Sequence, residues 1–156
     1  HLNMVIVNEN GVYFSGLNTE ALLALSADFT VIEFCSLPSG CHNAQPFKDG
    51  VIFNDTGSDV VRFVSRQNGE VVIPVPKFNH SDLHNTGLDD SRIARQGFGR
   101  GMCTINEQFI AAGSSPSTIS LIDIQNGERL AAVNLTMDIR NAIHGLEVWP
   151  RHWEDD

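Results

Sequence analysis

Four side chains suited to binding chemistry open successive stretches of similar sequence. They are His1, His42, Arg100 and His144, spaced 41, 58 and 44 residues apart. Imidazole is the commonest metal ligand in proteins, so three histidines drawn together with one water suit a zinc-type centre. Arg100 brings a different chemistry, because a planar guanidinium matches the oxygens of a carboxylate, phosphate or sulfate two at a time. Asn43 beside His42 and Gly101 beside Arg100 extend the candidate ligand-binding set with an amide and an unshielded backbone. The bland alternative is a set of polar residues that hold water and cap strand ends. His1 is either a vector-derived residue ahead of Met4 or part of a chain that continues upstream.

A second group lies in a long polar stretch, residues 76–92, with His80, Asp82, His84, Asp89 and Asp90. His80 and His84 are spaced i, i+4, which suits chelation on a helical turn, and Asp82 is placed to orient one of them. Long loops inside compact repeats are usually functional or disordered, so this one is either a solvated surface loop or a lid over His42. The loop ends in Gly97-Phe98-Gly99-Arg100-Gly101, whose glycines either cradle an anion or turn the chain sharply into the next unit. Asn54-Asp55-Thr56-Gly57-Ser58-Asp59 is rich in oxygen ligands and suits calcium, although an Asx-turn explains it as well. The metal expected is therefore a divalent cation, zinc or calcium.

These residues need elements to hold them, and the sequence supplies a repeat. Each unit has four short runs of aliphatic, aromatic and β-branched residues separated by turn signals. The first unit (1–41) contains Gly11–Gly16 and Ala21–Leu25, and the second (42–99) contains Gly50–Asp55 and Glu70–Val75. The third (100–143) contains Thr118–Asp123, and 144–150 reads as the opening strand of a fourth. Residues 76–99 are an insertion that lengthens the second unit. Asn10-Gly11, Asp49-Gly50, Asn68-Gly69 and Asn126-Gly127 punctuate the runs, and such pairs favour type I′ hairpins. Residues 19–26 are the one stretch that passes for a helical turn, but their place in the repeat makes them a third strand.

Composition sets the outer limits. The 156 residues are 42% hydrophobic and 19% charged, enough apolar material for a globular core and too much for a disordered chain. Ten Lys and Arg against nineteen Asp and Glu give a net charge of -9, which argues against nucleic acid. No apolar run approaches the roughly 20 residues a membrane-spanning helix needs. Three cysteines, Cys35, Cys41 and Cys103, are an odd number that fits a reducing compartment. With no basic-then-apolar leader at the start, the expected location is cytoplasmic.

A four-stranded unit of about 40–45 residues is the period of a propeller blade. On blade period, hairpin turns and the polar residue opening each unit, the chain resembles the six- or seven-bladed β-propeller superfamily of NHL-type, gluconolactonase-like and amidating-lyase propellers. The H-N-A-Q-P and H-G-L-E-V-W-P openings are similar to first-strand openings of propellers that use central histidines. No WD dipeptide is present, which disfavours the WD40 branch. The resemblance implies an all-β fold of antiparallel four-stranded blades, with His1, His42, Arg100 and His144 around one channel mouth. It also implies a small or anionic ligand there and, in its metal-dependent form, a lyase or hydrolase. A non-catalytic protein-interaction scaffold is the alternative. Three blades leave open sheet faces, so a homodimer or higher oligomer is expected to complete the ring.

Overall fold

A computed structural model of the chain describes residues 2–87 and 95–149. His1, Asp89 and Asp90, named above as candidate ligands, lie outside the described residues. Twelve strands and one short 3-10 turn, His80–Asp82, make up the regular structure among the described residues. The first sheet holds β1 (Leu2–Asn8), β2 (Gly11–Gly16), β3 (Ala21–Leu25) and β4 (Val31–Ser36). The second holds β5 (His42–Phe47), β6 (Gly50–Asp55), β7 (Val60–Ser65) and β8 (Glu70–Pro74). The third holds β9 (Gly99–Thr104), β10 (Phe109–Ser114), β11 (Thr118–Asp123) and β12 (Glu128–Asn134). Each is an antiparallel meander in which strands pair only with their neighbours in sequence. The fold is all-β with blade-like sheets, and residues 21–25 are a strand, as their place in the repeat requires.

The sheets stack by one repeated rule. The first strand of a sheet packs on the first two strands of the sheet before it: β5 on β1 and β2, β9 on β5 and β6. The sequence drives this stacking because each sheet carries apolar residues on both faces. In the first sheet Tyr13, Leu22 and Ala24 face the second, where they meet Ala44, Val51 and Phe53. Directly opposed residues across a pleated ladder share a face. The other face therefore carries Val5, Phe14 and Leu23 in one row and Val7, Val12, Leu25 and Val31 in the next. Strands apolar on both sides are the pattern of a sheet meant to be covered twice.

The turns differ from the type I′ expectation. At the β1–β2 and β5–β6 hairpins the glycine is the first residue of the returning strand, paired with Asn8 and Phe47 respectively. The residue with positive φ in the second of these is Lys48. Gly69 and Gly127 instead sit last in four-residue loops with φ of 79° and 67°, the left-handed position that only glycine enters without cost. Gly50 is needed for a different reason, since a Cβ there would lie 1.9 Å from the Val64 carbonyl oxygen.

The connections add detail and one correction. Among the described residues, 144–149, read as the opening strand of a fourth unit, have no ladder partner. The segment just before them lies along the third sheet, with Ser117 N–H donating to Asn141 and Gly101 N–H to Ile143. The correction concerns the long loop, which does not place His80 and His84 on one helical turn. The 3-10 turn ends at Asp82 and Leu83 is already extended (ψ 144°). His84 then forms a parallel bridge with Asp138, which docks the loop on the segment after β12.

Candidate functional site

His42 opens β5 and Arg100 is the second residue of β9, so the stacking of the second and third sheets brings the two starts together. His144 follows the segment tied to β9. Arg100 Nη1 lies 3.2 Å from His144 Nε2 and 3.4 Å from Nδ1. At nearly equal distance from both nitrogens, it lines up with neither lone pair, and the contact is a loose one. His42 is close enough for the Arg100 charge to act on it. Three of the four residues singled out by spacing thus share one place.

The organiser of that place is Phe98. Its ring meets the His42 ring edge-on at 5.6 Å, carries the Arg100 guanidinium at 4.5 Å and has the Arg95 guanidinium at 5.1 Å. Each such cation–π contact is worth about 0.5–2 kcal/mol, depending on how far water is excluded. Arg95 is fixed from behind by Asp59 and by the Thr56 carbonyl, at 2.6 Å from the latter. Arg100 has no carboxylate partner among the described residues. Its Nε is shielded from solvent and has no acceptor. Burial lowers the Arg100 pKa from its ordinary value, without bringing it near neutrality.

His42 is buried and held by Thr56. The Thr56 hydroxyl donates to the Gly99 carbonyl at 2.8 Å and stands 2.9 Å from His42 Nδ1. With its one hydrogen directed at Gly99, Thr56 accepts from His42 Nδ1–H, which leaves Nε2 as the unprotonated nitrogen. Burial, and after it the Arg100 charge, pushes the His42 pKa down; the same two causes act on His144. The site is therefore one permanent cation between two neutral imidazoles. That favours an incoming anion over an incoming metal ion, which the guanidinium would repel.

Asn43 and Gly101 act on the backbone of this site. The Asn43 amide donates to the Arg100 carbonyl, from a backbone at φ 52°, and Asn54 donates to the Arg100 and Gly101 carbonyls at 3.2 and 3.3 Å. Gly101 uses its N–H on Ile143, and a Cβ there would come within 2.8 Å of the Ile143 carbonyl oxygen. The glycine is thus a close-approach residue that lets the 141–143 segment lie flat on β9.

The other candidates are placed elsewhere. His80 and His84 sit on the docked loop, and Asp82 accepts from Asn79 and Ser81. In the oxygen-rich 54–59 segment, Asp55 pairs with Arg62 at 3.0 Å and Asp59 pairs with Lys77 at 2.9 Å and with Arg95. Those carboxylates are engaged by cations of the chain itself, which compete with a calcium ion for the same oxygens. Among the described residues no three His, Cys, Asp or Glu side chains are grouped to hold a metal ion. All three cysteines are free thiols; burial pushes Cys41 up to about 12. Sequence reasoning missed Phe98 and Thr56. The available signal was a single aromatic between two glycines, and a hydroxyl in a segment read only for its oxygens.

No protein-family model matches the chain, and comparison with curated proteins finds no match either.

Proposed function

We propose that the mouth formed by His42, Arg100 and His144 binds a small oxyanion, in a chain that is part of a β-propeller of the NHL, gluconolactonase and amidating-lyase kind. The observation that carries the reading is the Arg100 guanidinium, packed on Phe98, partly shielded from water and without a carboxylate partner among the described residues. A partly shielded cation without a carboxylate partner gains from a ligand that supplies the missing anion. His42 Nε2, kept as an acceptor, suits a hydroxyl on the same ligand, so a hydrogen phosphate or a small hydroxy acid fits the pair.

The test is calorimetric titration with inorganic phosphate, sulfate and lactate. Saturable binding that Arg100→Gln weakens about 10-fold or more is expected, since a charge-assisted bond to a guanidinium is lost. Binding unchanged by Arg100→Gln overturns the reading. The metal-dependent lyase or hydrolase version makes the opposite demand. One equivalent of zinc, bound by the wild type and lost in His42→Ala, would replace the oxyanion by a metal centre.

The open faces support a second copy of this chain as partner, and with it the interaction-scaffold reading. The row of Val5, Phe14 and Leu23 on the first sheet has a counterpart on the third, where Cys103, Ala111, Leu121 and Ala131 stand opposite one another. Stacking the third sheet of one copy on the first of the other, twice, closes a ring with twofold symmetry. A dimeric mass at micromolar concentration is expected, and Leu121→Glu is expected to lower it to that of a monomer. A wild-type monomer that melts cooperatively overturns this assembly. No described helix is long and apolar enough to cross a membrane.

A further inference from the structure

The two seams between sheets are not alike. The seam between the second and third sheets closes to a void of about 10 Å³. Between the first and second sheets a cleft of about 500 Å³ remains open toward the outer strands. Period-2 alternation explains the difference. On the face of the second sheet that looks at the first, Val51 opposes Val64 and Glu70, while Phe53 opposes Arg62 and Val72. The apolar row thus turns charged at β7 and β8. The sheets part where guanidinium groups would otherwise be buried against Phe34 and Cys35 of β4.

The cleft walls are chiefly apolar, with Phe34, Val51, Phe53 and Val64 among them, and two arginines and Glu70 at their polar side. Arg62 is neutralised by Asp55 at 3.0 Å and Glu70 at 2.7 Å, yet its Nε is shielded without an acceptor. Arg66 is the contrasting cation. It sits 5.4 Å from the Phe34 ring centre and has no carboxylate partner among the described residues. Glu33, near enough to act on the Cys35 thiol, bonds Ser36 at 2.8 Å instead. An apolar slot with one uncompensated guanidinium at its edge matches a molecule with an apolar body and one acidic head. The volume lies within the range of about 300–1,000 Å³ typical of small-molecule pockets.

We infer that the cleft between the first and second sheets is a binding site for a small amphiphilic carboxylate, with its tail along Phe34, Phe53 and Val64 and its head on Arg66. The site is separate from the mouth at Arg100 and uses none of its residues. Cys35 lines the cleft, whereas Cys103 stands on the third sheet, so the two half-buried thiols report on occupancy and on its control.

The experiment uses dodecanoate as the probe with dodecanol as its uncharged counterpart. Dodecanoate is expected to bind saturably, to slow alkylation of Cys35 by iodoacetamide and to leave Cys103 unchanged. Arg66→Ala, a change at an exposed residue, is expected to weaken dodecanoate about 10-fold or more and to leave dodecanol unaffected. Val64→Trp is expected to fill the slot and remove both the binding and the Cys35 protection. Dodecanoate and dodecanol binding alike would overturn the acidic head group. Binding that survives Val64→Trp, or that leaves Cys35 as reactive as in the free protein, would place the probe outside the cleft and overturn the site. An Arg100→Gln control, expected to be silent here, separates this outcome from that of the oxyanion titration.

Discussion

The closed seam and the open one are built from the same kind of sheet and differ in where the alternating pattern stays apolar. At the closed seam Phe63, Val61 and Ile73 of the second sheet meet Met102, Ile110 and Ile122 of the third and Ile124 just after β11. These residues form one continuous buried cluster, and the Arg129 guanidinium caps its outer end by donating to the Pro74 carbonyl. At the open seam the partnered layers stop at Tyr13, Leu22 and Phe53, and Phe34 and Cys35 pack only from the side. One seam holds the molecule together, and the other leaves room for something else.

The largest effect that tests this contrast is a pair of truncations. Phe63→Ala removes a ring that stacks edge-on against Phe47 at 5.4 Å inside the closed seam. It is expected to cost about 3–5 kcal/mol in chemical denaturation, the range for a buried aromatic that leaves a cavity. Phe34→Ala at the open seam loses the edge contact with Tyr13, 5.2 Å between ring centres, and the seat of Arg66. Because water already reaches that cleft, its cost is expected to be about 1–2 kcal/mol. Equal losses at the two positions would mean that the seams are energetically the same and that the cleft closes in solution.

Part of this was legible in the residues themselves. Gly11–Gly16, Gly50–Asp55 and Thr118–Asp123 are strands with the bounds their runs suggest, because β-branched and aromatic residues end at a turn signal on both sides, and Ala21–Leu25, made of Ala and Leu alone, is one by its place in the repeat. His42, Arg100 and His144 could be placed together because equivalent positions of a repeat end up side by side once the repeats stack. What could not be read was anything set by a contact between units. Phe98 has Arg95 and Arg100 as near neighbours in sequence, but it became the centre of the mouth only when the stacked sheets set the distant His42 ring against it. The ion pairs of the 54–59 carboxylates with Arg62, Lys77 and Arg95 were hidden as well, because sequence spacing points to none of those cations. The cleft was hidden for the same reason: V-V-R-F-V-S reads as an ordinary strand until the sheet that Arg62 faces is known.

The polar end of the closed seam is the mouth, and Thr56 is where the two meet. Thr56→Val keeps the shape but leaves the Gly99 carbonyl and His42 Nδ1–H without their partner. An unpaired buried polar group costs about 1–3 kcal/mol, so a loss of about 2 kcal/mol is expected. The variant separates anchoring from ligand chemistry. If Arg100 alone holds an oxyanion, Thr56→Val weakens lactate more than sulfate, because only the hydroxy acid needs the His42 acceptor. Equal weakening of both ligands would assign Thr56 to shape alone.

The smallest expected effect is also the most selective, because it titrates the mouth and leaves both seams unchanged. The folded chain holds His42 neutral below the ordinary histidine pKa of 6.5, through burial first and the Arg100 charge second. The unfolded chain takes up a proton there as pH falls past 6.5, so unfolding consumes protons and stability declines with acidity. The contribution is complete above that pH and is lost as pH falls toward the depressed folded value. One group can impose at most about 1.4 kcal/mol per pH unit, and His144, exposed and shifted the same way, adds a weaker slope. Carboxylates held low by partners, such as Asp138 beside Arg140, act only at more acid pH and do not enter this window. Denaturation at pH 7.5, 6.5 and 5.5 is therefore expected to show wild type losing stability faster than His42→Gln, which cannot take up the proton. Arg100→Gln is expected to fall between them, since it removes the second cause and leaves the first. Parallel curves for wild type and His42→Gln would mean that His42 is as free to charge in the fold as in the unfolded chain, and that Thr56 holds an imidazole the seam does not bury.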